Sequence, residues 1–84
     1  MISVEQLGVR ILQFRRTQGL TQIQVADHMG VTPQAVSKWE RGLSCPDLVC
    51  LDDLADLLGT DIDSLLRGNA VHSVALVSTN SVAS

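Results

Sequence analysis

TQIQVADHMGVTPQAVSKWERG, Thr21 to Gly42, is the stretch on which the fold turns. It predicts two short helices joined by a tight turn. Thr21 followed three residues on by Gln24 has the spacing of a capping box, in which two side chains satisfy backbone N–H groups left over at a helix start. Val25, Ala26 and Met29 then fall on one helical face, and Gly30 can adopt the left-handed conformation that ends a helix. Thr32 and Pro33 mark a second start. The hydroxyl serves as cap, and proline is tolerated at the first helical position because its missing N–H had no intrahelical partner. Val36 and Trp39 point inward, Gln34, Ser37 and Lys38 lie off that face, and Gly42 closes the helix.

Two capped helices of about two turns, hinged at a glycine, match a helix-turn-helix. Any small helical bundle contains such corners, so the spacing alone is compatible with a purely structural role. The polar set on the second helix points further. Glutamine, serine and lysine there can hydrogen-bond base edges, and packing has no need of them.

On these residues the chain resembles the Cro/C1-type (XRE-like) DNA-binding domains of phage and bacterial repressors. The resemblance runs from about Leu7 to Leu66. It rests on R-x-x-x-G-L-T-Q at Arg15 to Gln22, G-V-T at Gly30 to Thr32 and S-K-W-E-R-G at Ser37 to Gly42. It implies an all-α, five-helix, lambda-repressor-like domain that binds double-stranded DNA.

Composition is compatible with this. The 84 residues amount to one small domain, near the size at which a single core becomes marginal. Hydrophobic residues make up 45%, yet Phe14 and Trp39 are the only aromatics, so Leu, Val and Ile must fill the core. The apolar runs are short and broken by charge, and the N-terminus lacks a basic-then-apolar secretory pattern. The expectation is a cytoplasmic protein with no membrane span. Cys45 and Cys50, spaced C-x4-C without further Cys or suitably placed His, do not make a zinc framework and are expected to be free thiols.

A net charge of −3 argues at first against DNA, because phosphate neutralisation dominates affinity. The distribution of the charge argues the other way. Residues 1–46 hold five basic against three acidic side chains, a net of +2, whereas residues 47–84 hold Arg67 against six aspartates, a net of −5. One weakly positive and one acidic face follow, with modest, salt-sensitive DNA binding. The aspartates read as helix caps and solvated surface rather than a metal site.

Around the central stretch, Ser3 and Gln6 offer a capping box for a first helix over about residues 4–18, with Leu7, Ile11 and Phe14 inward and Arg10, Arg15 and Arg16 on the polar side. Asp47 caps a helix over about residues 48–58 whose inner stripe is Leu48, Leu51, Leu54, Ala55 and Leu58. Asp61 or Thr60 starts a last helix ending at Arg67, and Ile62, Leu65 and Leu66 close the core. Residues 1–67 thus form the domain. Residues 68–84 form a short, non-helical C-terminal tail, either disordered or a strand pairing with its copy in a homodimer; Val71 to Val77 would be costly to leave in water. His72 reads as a tail residue.

The second helix, residues 33–41, would lie in the major groove. Gln34 can bond adenine N6 and N7, Lys38 a guanine or a phosphate, and Ser37 either; Pro33 and Ala35 offer apolar contact to a thymine methyl. The resemblance puts Pro33, Gln34, Ser37 and Lys38 against the groove, although family members often carry a polar residue where Pro33 stands. It also implies a phosphate contact from Gln22. Thr32, Arg41, Arg16 and Arg10 are further phosphate candidates, each arginine being equally readable as a solvated charge. Arg15 and Glu40 are, by the same resemblance, a structural pair linking the first helix to the recognition helix. Trp39 reads as a core anchor.

No activated nucleophile, Gly-rich phosphate loop or metal-ligand set appears, so no enzyme activity and no cofactor is expected. The favoured reading is a dimeric transcriptional repressor recognising an inverted repeat. The alternative is an antitoxin-like or protein-interaction module of the same fold, with little DNA binding of its own and with Ile23, Val49, Leu57 or the tail on its partner surface.

Overall fold

The structure, a computed structural model, describes residues 2–68. Five helices follow one another: α1 (Val4–Thr17), α2 (Gln22–Met29), α3 (Pro33–Glu40), α4 (Leu48–Leu57) and α5 (Ile62–Arg67). No strand occurs among the described residues. The tail after Gly68, with its expected strand or arm, lies outside them.

The caps explain the boundaries. In the capping box at α2, Gln24 N–H donates to Thr21 Oγ1 at 3.0 Å and Thr21 N–H donates to Gln24 Oε1 at 2.8 Å. Thr32 Oγ1 accepts from Ala35 N–H, Asp47 Oδ1 from Cys50 N–H and Asp61 Oδ1 from Ser64 N–H. That last bond holds the Asp61 carboxyl below the usual carboxylate range. At α1 only half of the box forms. Ser3 accepts from Gln6 N–H, but the Gln6 side chain turns to accept from Arg10. Gly30, at φ 70°, ends α2 in the left-handed region, and the adjoining Val31 N–H returns to Ala26 O at 3.0 Å. This is the turn between the two central helices.

The core is built from Leu7, Ile11, Val25, Ala26, Val36, Trp39, Leu51, Leu54, Ala55, Leu58 and Leu65. Through it α1 packs on α3 and α5, α2 on α3 and α4, and α4 on α5. Gly8 is buried where α1 meets the end of α3, so close that a Cβ built on it would lie 2.8 Å from the carbonyl oxygen of Glu40 and nearer still to that of Trp39.

Two expectations for α4 are corrected. Leu48 is 71% exposed and not part of the inner stripe. It stands in the first turn, where side chains lean back toward the helix N-terminus, and Pro46 is the residue buried there. Leu57 is half-buried and packs against the core, so it is no free partner surface. Both cysteines are free, and burial, then the charges of Asp47 and Asp53, push the Cys50 thiol up. No helix among the described residues is long and apolar enough to cross a membrane.

Candidate nucleic-acid interface

α3 divides sharply. Val36, Trp39 and Glu40 are buried, while Gln34 and Lys38 are exposed and Ser37 half-exposed. With the exposed C-cap Arg41, the outward residues follow i, i+3, i+4 and i+7, a single face along the helix. Pro33, at the first helical position, is half-buried at the edge of that face. Ala35 is half-buried and packs against the core.

The same helix ends in a fixed ion pair. Arg15 Nε donates to Glu40 Oε2 at 2.6 Å and Arg15 Nη2 to Glu40 Oε1 at 3.1 Å, a bidentate arrangement. The two side chains are only 11% and 4% exposed. Arg15 Nη1 also donates to Leu20 O at 2.8 Å, fastening the segment that leads into α2. Gln22, half-buried at the start of α2, donates from Nε2 to Glu40 Oε1 at 2.9 Å. Sequence spacing did not reveal this last bond. It brings Gln22 to the end of α3 that also carries Arg41.

The remaining phosphate candidates separate. Arg16 is exposed in the last turn of α1, and Thr32 keeps its hydroxyl proton to give, since Oγ1 acts as acceptor in the cap. Arg41 is exposed, with Nε in a long 3.4 Å contact to Ser37 O. Arg10 is occupied elsewhere. Its Nη1 donates to Leu65 O at 3.0 Å and to Leu66 O at 2.9 Å. A cation at a helix C-terminus satisfies carbonyls that have no intrahelical donor. Arg10 therefore clamps α5 through Nη1.

Known proteins share this fold. The family model for the helix-turn-helix matches residues 11–65, a span that includes all of α2 to α4. The chain is 39% identical over 61 residues to the SPbeta prophage-derived uncharacterized HTH-type transcriptional regulator YonR of Bacillus subtilis, a match covering 73% of this chain and 56% of that protein. It is 33% identical over 66 residues to the HTH-type transcriptional activator BcrR of Enterococcus faecalis, covering 79% and 32%. The chain thus spans about half or less of the length of these relatives. Among solved structures, the P22 c2 repressor in complex with a synthetic operator superposes with a TM-score of 0.72 at 32% identity, over 75% of this chain and 96% of that one. The biofilm regulator SinR in complex with DNA gives 0.65 at 28%, over 70% and 95%. The chain belongs to the Cro/C1-type, XRE-like helix-turn-helix family, whose members are DNA-binding transcription regulators and not enzymes.

Proposed function

We propose that the protein is a cytoplasmic, dimeric repressor that reads an inverted repeat in double-stranded DNA through α3. The observation that carries this reading is the split of α3. One face is polar and open at Gln34, Ser37, Lys38 and Arg41, while the other is anchored through Val36, Trp39 and Glu40. Gln34 and Lys38 meet base edges, with Ser37 and Pro33 beside them. Gln22, Thr32, Arg41 and Arg16 hold phosphates.

Selection of sites from a random duplex pool tests the division of labour. Gln34→Ala is expected to cost about 1–3 kcal/mol of specific affinity and to relax preference at one base position. Arg41→Ala is expected to weaken binding to every sequence alike and to lower the salt slope by about one unit, because phosphate contacts position without specifying. An unchanged preference for Gln34→Ala, or a sequence-confined loss for Arg41→Ala, would reverse these assignments.

One recognition helix spans few base pairs, and a half-site bound by so few basic residues is weakly held. Two copies reading half-sites about 34 Å apart gain both affinity and specificity. Support for a contact after α3 comes from Leu43, Leu48 and Val49, which are 64%, 71% and 75% exposed. Residues 1–67 form the folding unit in this reading, and residues 68–84 add an arm to the dimer. Sedimentation at roughly tens of micromolar is expected to give a dimer, weakened but still folded when residues 68–84 are removed. A monomer in the intact chain would refute the dimer. The same three exposed apolar side chains favour a second reading, an antitoxin-like or interaction module. Failure to shift random and upstream duplexes at low salt would select it.

A further inference from the structure

Glu40 is where three helices meet. Its carboxylate belongs to α3, accepts two N–H groups of Arg15 from α1 and one of Gln22 from α2, and is 4% exposed. A carboxylate offers only acceptors, so the Gln22 amide must face it with its NH2 group and turn its carbonyl away. That group has two hydrogens. One is held by Glu40 Oε1, and the other is left on an amide whose rotation has been stopped. Arg15 matters here as well. By matching the charge of Glu40 it lets an acidic side chain stand behind a phosphate contact without repelling the phosphate.

We propose that Glu40 is a positioning residue for DNA binding: it holds the Gln22 amide so that its second N–H is presented to a phosphate oxygen. The inference rests on the reading of Gln22 as a phosphate contact. Affinity for DNA of any sequence then depends on a buried ion pair that itself touches no nucleotide. Preorganisation is the physical gain, since the glutamine side chain is already ordered when DNA arrives.

The free chain, labelled with nitrogen-15, tests this by NMR at low salt. One of the two Gln22 amide protons, the one donated to Glu40, is expected to be protected from exchange and the other not. When a short random-sequence duplex is added, the unprotected proton is expected to shift and the protected one to stay. Two Gln22 amide protons that exchange equally fast in the free chain, or an amide unmoved while the duplex binds, overturn this proposal alone. Failure of the chain to bind any duplex overturns the DNA-binding reading with it. A cycle of Gln22→Ala and the paired replacement Arg15→Met with Glu40→Leu, read as affinity for the same duplex at a temperature where both remain folded, gives a second readout. Each variant is expected to bind about three- to tenfold more weakly, and the combined variant no more weakly than the worse of the two. Losses that multiply would mean that Glu40 does not act through Gln22.

Discussion

Gly8→Ala is expected to lower the thermal midpoint of the domain by on the order of 10 °C. In an ordinary helix interior the same change stabilises by about 1 kcal/mol, because glycine loses more backbone freedom on folding. Here the new Cβ would press on the carbonyl oxygens of Trp39 and Glu40, the second at 2.8 Å. Those are backbone atoms at the end of α3, so no side chain can rotate out of the way. Relief requires α1 and α3 to separate, which also loosens Leu7 and Ile11 against Val36 and Trp39 in the shared core. Overpacking of this kind typically costs about 1–3 kcal/mol, and occasionally more. Contact with rigid backbone puts this site at the upper end, so the steric cost exceeds the propensity gain by about 2 kcal/mol. A domain of this size loses about 4–8 °C per kcal/mol. Thermal unfolding followed by circular dichroism, with the exposed Val9→Ala as control, checks the sign. A raised or unchanged midpoint would mean that the two helices have room between them.

Gly8 also marks where reading the sequence reaches its limit. The caps at Thr21, Thr32, Asp47 and Asp61 were legible because donor and acceptor lie within three residues of one another. The polar face of α3 was legible for a related reason, as helical periodicity places Gln34, Ser37 and Lys38 together without reference to the rest of the chain. Gly8, by contrast, is explained by carbonyl oxygens of Trp39 and Glu40, on a different helix and far along the chain. Its only local signal was a glycine inside a helical pattern, beside Leu7 on the inward stripe. Arg10 presents the same difficulty. Its place on the polar side of α1 suggested a phosphate clamp, and only the docking of α5 reveals the carbonyls that engage it. Leu48 failed differently. Periodicity gave the face of α4 but not where the core beneath that face ends. The pairing of Arg15 with Glu40 came from family resemblance, and the bond from Gln22 that makes it a three-helix junction came from the structure alone.

Removing either member of that pair is expected to cost about 3–5 kcal/mol, several times the value of an exposed ion pair. The comparison is available within the molecule. Arg67 and Asp63 lie 3.2 Å apart one turn along α5, but at 58% and 60% exposure water screens them, and their loss should scarcely move the midpoint. Arg15 and Glu40 are 11% and 4% exposed. Glu40→Ala would leave the Arg15 guanidinium with only Leu20 O and strip the Gln22 amide of its acceptor. Arg15→Ala would leave a buried carboxylate with Gln22 as its single side-chain donor. The damage overlaps, because the second removal takes away the group that the first one stranded. A double-mutant cycle by chemical denaturation is therefore expected to return a coupling energy of about 1–3 kcal/mol. Additive losses would rule out a direct interaction. Replacing both residues together, as Arg15→Met with Glu40→Leu, separates stability from function. An apolar pair of similar volume can match or exceed a buried ion pair in stability. It cannot hold the Gln22 amide, so that variant is expected to stay folded and still bind every duplex more weakly than the natural chain.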